Sequence, residues 1–128
     1  MTNGSGGTDV PQISAEDLYA RSLMELIQLR NDLARLKWEL RLESATQKRR
    51  EEFAELHARL LNRLRDLTNA KLSKIAADLQ ANEAALSAGI QACKDARRRF
   101  ETIGKAFKAM SAFLNTLETV LKVAAKAL

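Results

Sequence analysis

His57 and Cys93 are the single histidine and the single cysteine of this chain, so an imidazole base or a thiol nucleophile has one place each to stand. In the helical register set by Phe53, the imidazole lies beside the apolar face near Glu55 and Arg59, which suits a boundary histidine better than a catalytic base. One imidazole holds a metal only if carboxylates from elsewhere complete the sphere. No glutamate stands three residues ahead of it, the spacing used in carboxylate-bridged metal bundles. Cys93 falls on an a position between Leu86 and Phe100, the place of a small buried hydrophobe. Exposure would let Lys94 and Arg97 lower its pKa, and a symmetric interface could bring it against its own mate. Gly104-Lys105 has Ala106 where a phosphate-binding loop needs Ser or Thr, and no glycine-rich run precedes it. The residues therefore point to no enzyme, with no catalytic residue, cofactor or metal.

Positive charge is the other chemistry available. The net charge of +5 is uneven: residues 1–47 hold five basic against seven acidic residues, 48–100 hold twelve against seven, and 101–128 hold four against two. Three clusters stand out, at Lys48, Arg49 and Arg50, at Arg59, Arg63 and Arg65, and at Arg97, Arg98 and Arg99. Lys105, Lys108, Lys122 and Lys126 surround the apolar sector of the last segment. Such groups attract phosphate backbones, anionic lipid or an acidic protein surface. Glu51, Glu52 and Glu55 dilute the first field, and the better leucine zipper precedes the basic cluster rather than following it, unlike a basic-zipper protein.

The elements that must carry these residues are helices. Pro11 is the only proline, aromatics make up 5% of the chain and hydrophobic residues 46%, so little punctuates the sequence after the start and enough apolar surface exists for a core. Residues 1–13 read as a disordered tail rich in small and polar residues. Ser14 followed by Asp17 reads as a helix cap. Leu26, Leu29, Leu33, Leu36 and Leu40 then keep strict a/d spacing, extended backwards by Tyr19 and Ser22. Glu25 and Asp32 take g positions and Arg30 and Lys37 the following e positions, an arrangement that pairs across a parallel two-stranded interface.

Residues 43–52, ESATQKRREE, contain one apolar residue, and Ser44 with Gln47 offers a weak new capping box. Phe53, Leu56, Leu60, Leu61, Leu64 and Leu67 restart the apolar face out of step, which disfavours one uninterrupted supercoil. A second change of phase falls at 68–71. From Leu72 the face runs through Ile75, Leu79, Asn82, Leu86, Gly89, Cys93 and Ala96 into Phe100, Ile103, Phe107, Met110, Leu114, Leu117 and Leu121. Ser87–Gly89 is the expected bend that returns the chain. Ala106, Phe113 and Val120 widen the last face to the breadth of a helix with two neighbours.

The expected fold is all-α, a single helical coiled-coil domain over 14–128 with breaks near 43–52, 68–71 and 87–89. Its shape is expected to be an elongated hairpin or three-helix coiled-coil bundle completed by intermolecular helix packing. Three roles follow, in order. The first is a protein–protein interaction or assembly subunit (structural, adaptor or chaperone-like) binding itself or another helical protein through Leu26, Leu29, Leu33, Leu36 and Leu40 and through Phe100, Ile103, Phe107, Met110, Leu114, Leu117 and Leu121. The second is membrane-active or lipid-surface binding, as in components of helical pore-forming toxins, with the final amphipathic helix buried at the headgroups. The third is phosphate-backbone contact with nucleic acid. The anionic surface would meet Lys48, Arg49, Arg50, Arg97, Arg98, Arg99, Lys105, Lys108, Lys122 and Lys126. No leader and no long uncharged apolar run is visible, so the expected location is cytoplasmic or leaderless secreted, or peripheral to a membrane.

Overall fold

Ser14 opens the first helix. Its Oγ accepts the Asp17 amide at 3.1 Å and its carbonyl accepts the Leu18 amide at 2.9 Å, engaging donors that every helix start leaves open. The computed structural model of the chain describes residues 13–42, 46–99 and 103–122, side chains excepted at 36–42, 99 and 103. Within them α1 is Ala15–Leu42, α2 Gln47–Asn69, α3 Leu72–Ala81, α4 Glu83–Arg99 and α5 Ile103–Leu121. Thr46 caps α2, its side chain accepting the Arg49 amide at 3.2 Å; the capping box read at Ser44 involves a residue outside the described ones. Ala70 and Lys71, both extended, part α2 from α3. Asn82 parts α3 from α4 while its amide side chain donates to the Asp78 carbonyl at 2.8 Å. Lys122 ends α5 in the left-handed region at φ 58, where a helix commonly stops.

Cross-helix contacts fix the directions. Tyr19 donates to the Leu67 carbonyl at 2.9 Å, joining the start of α1 to the end of α2, so these two are antiparallel. Ile13 meets Glu83 and Glu25 meets Arg97, so α1 and α4 are parallel. Gly89 lies on Phe113 and Cys93 on the Ala109 carbonyl, so α4 and α5 are antiparallel. Arg49 lies by Gly104 and Arg63 by Glu118, so α2 and α5 are parallel. Around the bundle the order is α1, α2, α5, α4. The chain crosses the diagonal from α2 to α4 through α3, which packs on α1 and α5.

The core lies at the centre of these helices. Leu18, Leu26, Leu29 and Leu33 of α1, Leu60 and Leu67 of α2, Leu79 of α3, Leu86 of α4, and Met110, Phe113, Leu114 and Leu117 of α5 are all buried. Each such side chain contributes about 1.5–3 kcal/mol by leaving water.

This five-helix bundle corrects the elongated hairpin or three-helix coiled coil completed by other chains. The leucine stripe of α1 and the broad face of α5 do need apolar neighbours, and the chain supplies them itself. Changes in heptad phase that looked like irregularities of a supercoil mark helix ends, which leave rods short enough to fold back on one another. The g-position acids Glu25 and Asp32 face Arg97 of the same chain rather than e positions of a mate. The bend read at Ser87–Gly89 is absent, since α4 runs through it and the interruption falls at Asn82. Gly89 serves close packing: a Cβ there would stand 3.3 Å from the Phe113 ring and 3.4 Å from the Phe113 Cα. The tail read over 1–13 lies outside the described residues up to 12. Ile13 itself is half-buried, its amide donating to Glu83 at 3.4 Å.

Candidate binding face between α1 and α4

Two buried ionic seams join the parallel helix pairs. Between α2 and α5, Arg59 donates to both oxygens of Glu118 at 2.7 and 3.2 Å, to Asn115 Oδ1 at 2.8 Å and to Ser111 Oγ at 3.3 Å. Arg63 adds a further bond to Glu118 at 3.2 Å. Between α1 and α4, Arg97 donates to both oxygens of Glu25 at 2.8 and 3.1 Å, and its Nε lies 3.3 Å from Asp32 Oδ2. Parallel helices bring like dipole ends together, and both seams sit on such pairs. Leaving one of these buried charges without its partner costs several kcal/mol, so each seam favours the helix pair it joins. Burial pushes the Glu25 carboxyl above its ordinary value, against the hydrogen bonds and charge of Arg97.

The α1–α4 seam is the floor of an open face. Toward the start of α1, a groove of about 200 Å³ is lined by Ala20, Arg21, Met24, Glu25, Ile90 and Lys94. Toward the other end, a cleft of about 410 Å³ is lined by Gln28, Asp32, Arg35, Lys94, Arg97 and Arg98. Lys94 lines both, standing between them. Met24 is 57% exposed, and only Leu61 joins it as an exposed large hydrophobe among the described residues. Glu25 and Asp32 are buried beneath the face, whereas Arg21, Arg35, Lys94 and Arg98 stand exposed along its edges. Asp17 and Asp95 stand at the same edges, bonded to Arg21 and Arg98 at 3.1 and 3.3 Å, so the exposed methionine is framed by charged residues with an excess of cations.

No family model, curated protein or solved structure matches the chain.

The apolar residues assigned from sequence to an interface with other molecules lie inward. Leu26, Leu29, Leu33, Phe107, Met110, Leu114 and Leu117 are buried in the chain's own core and Leu121 is half-buried at its rim. Phe100 and the side chains of Leu36, Leu40 and Ile103 are outside the described residues. Among the basic residues, Arg97 is held in the seam. Arg98 is exposed beside Asp95 at 3.3 Å, and Lys122 is exposed beside Asp78 at 3.5 Å. Arg49 lies over the Phe107 ring, 5.7 Å from its centre, and bonds Glu52 at 2.8 Å. Lys48, Arg50, Lys105 and Lys108 are exposed, and the parallel course of α2 and α5 gathers them with Arg49 at one end of the bundle. Lys126 and the Arg99 side chain are outside the described residues. Arg59 and Arg63, read as phosphate contacts, are instead buried in the α2–α5 seam.

His57 stacks on Phe53, ring centres 5.6 Å apart. Cys93 is fully buried and reaches the Ala109 carbonyl at 3.6 Å, and burial pushes its thiol up to about 12. Among the described residues no group of three His, Cys, Asp or Glu side chains could hold a metal ion. No described helix is long and apolar enough to cross a membrane.

Sequence reasoning passed over Met24 and Ile90 and read Lys94 only as a neighbour of Cys93. Met24 stands at the f position of the α1 heptads, the outermost place on a coiled-coil helix, and an apolar residue there is the signal that could have found this face.

Proposed function

We propose that this chain is a helical adaptor or assembly subunit that binds another protein on its α1–α4 face. The observation that carries the reading is Met24, a large apolar side chain 57% exposed over a groove whose neighbouring edges carry an excess of cations. Unbranched, polarizable methionine adapts to varied partner surfaces, and exposed apolar patches with polar rims are typical of recognition sites. The leucine seams support the reading less directly: they hold the bundle rigid, so the face is formed before any partner arrives and little ordering opposes binding. A photo-cross-linking residue at position 24, introduced in cells that make the protein, tests this. Discrete adducts with another protein at position 24, absent at the exposed control position Thr119, are the expected result. Adducts at neither position, or equally at both, overturn it.

A second reading, contact with an anionic lipid surface or a phosphate backbone, draws on the bundle end where Lys48, Arg49, Arg50, Lys105 and Lys108 gather. It calls for surface attachment rather than insertion, because the apolar face of α5 is occupied by the chain's own core. Flotation with anionic vesicles and an oligonucleotide mobility shift, each across a salt series, test it; absence of both at low salt ends it.

A further inference from the structure

We infer that the occupant of the α1–α4 face is an acidic amphipathic helix of the partner, its apolar stripe seated on Met24 and its carboxylates facing Lys94, Arg35 and Arg98. This rests on the proposed protein-binding role and adds the chemistry of the partner.

Three features lead to it. The first is shape: α1 and α4 run parallel, and the furrow between two parallel helices accepts the ridge of a third. The lining residues run from Ala20 to Arg35 along α1, a span of about 22 Å at the helical rise, which matches about four turns of a partner helix. The second is polarity along that span. The Ala20–Met24–Ile90 end is apolar, with Arg21 and Lys94 at its rim, whereas the Gln28–Arg35 end is charged. A helix with one apolar stripe and acidic flanks is complementary to both halves at once.

The third is the sign of the accessible charge. Glu25 and Asp32 lie buried against Arg97, and Arg35 meets Asp32 from the rim. The exposed cations Arg21, Arg35, Lys94 and Arg98 outnumber the exposed acids beside them, Asp17 and Asp95, and leave a net positive potential centred on Lys94 for a visitor. Arg98 bonds Asp95 of its own helix in an exposed contact that contributes little and exchanges readily for a partner carboxylate, whereas Arg35 reaches down to the buried Asp32 and keeps its outer edge toward solvent. A basic helix would meet repulsion from this excess, and an uncharged one would gain nothing from it.

The test uses the full chain and synthetic peptides of about eighteen residues, long enough to cover the furrow. One peptide has leucines at i, i+3, i+4 and i+7 with glutamates on the flanks. A second replaces those glutamates with lysines, and a third has the acidic composition in an order that destroys the stripe. Fluorescence anisotropy is expected to show saturable binding of the first peptide, with affinity about tenfold or more above the other two. Met24→Ser is expected to weaken it about tenfold without changing its salt dependence, and Lys94→Glu to weaken it and flatten the salt dependence. Unaltered helical circular dichroism would show that both variants are folded.

Equal binding of the stripe-less acidic peptide, or affinity unchanged by Met24→Ser, overturns the inference in favour of a general polyanion surface. Displacement of the acidic peptide by anionic vesicles or an oligonucleotide at equal charge concentration overturns it likewise. Concentration-dependent self-association abolished by Met24→Ser would make a second copy of the chain the occupant and also overturn it. Cross-links to another protein at position 24 together with failure of the acidic peptide would leave the adaptor role standing and remove only the acidic-helix assignment.

Discussion

Arg97 of α4 grips Glu25 of α1 through two hydrogen bonds, at 2.8 and 3.1 Å, across 72 residues of sequence. The pair lies beneath the proposed binding face, so its charge state bears on stability. Burial leaves the Glu25 carboxyl with a folded pKa above its ordinary value of 4.5. A raised folded value means the native state holds the proton more strongly than the unfolded chain. The contribution of Glu25 is then fully present below the unfolded pKa and is lost as pH rises through the folded one. Glu25→Gln keeps the shape without the charge. Urea melts across the acid-to-neutral range are expected to show native stability falling with pH relative to that variant, with the variant at least as stable at neutrality. A difference that grows in the native protein's favour as pH rises refutes this account.

Glu118 answers two arginines. Glu118→Ala would strand Arg59 and Arg63, buried at 7% and 2% exposure, and is expected to cost about 3–5 kcal/mol in equilibrium urea unfolding. Glu118→Gln, which still accepts hydrogen bonds, is expected to cost less.

Gly89→Ala improves helix propensity by about 1 kcal/mol, yet its Cβ would press on the fully buried Phe113 from 3.3 Å. Overpacking of a filled core costs about 1–3 kcal/mol, so net destabilisation is expected. A double-mutant cycle with Phe113→Leu should show the two sites coupled by at least about 0.5 kcal/mol. An additive cycle would show that Gly89 is not a packing notch.

Cys93, its thiol pushed up to about 12 within the α4–α5 contact, is expected to react with a neutral thiol reagent only as fast as the bundle opens. Rapid labelling at neutral pH without denaturant would contradict the packing of that helix pair.

Ser22 is fully buried and its Oγ has no hydrogen-bond partner. Ser22→Ala removes an unsatisfied hydroxyl and improves helix propensity, so thermal and urea melts are expected to show a gain of about 1 kcal/mol.

What the sequence made legible was local. Ser14 with Asp17 announces a helix start because capping depends on residues three apart, and the leucine spacing of α1 names its buried face because helical periodicity does. The partner of that face was not legible. A heptad stripe has the same spacing whether it meets a second chain or another segment of its own, and Glu25 and Asp32 look like g-position acids in either case. Arg97, which answers them, lies beyond the reach of any short-range pattern. Gly89 misled for a related reason, since a glycine that frees the backbone and one that admits a neighbouring ring look alike in one dimension. For the candidate face, the apolar Met24 at an outward position was visible, but its meaning depended on α4 lying parallel beside α1.

The diagonal passage through α3 has a kinetic consequence. It divides the chain into two antiparallel hairpins, α1–α2 and α4–α5, whose contacts close over short loops, whereas the ionic seams join residues more than fifty positions apart. Long loops close late because their entropy must be met first. Each hairpin should thus assemble as a unit and dock afterwards, with the guanidinium–carboxylate clasps fastened at the end. Substitutions in the clasps would then chiefly set how quickly the native molecule comes apart, leaving its rate of formation nearly untouched.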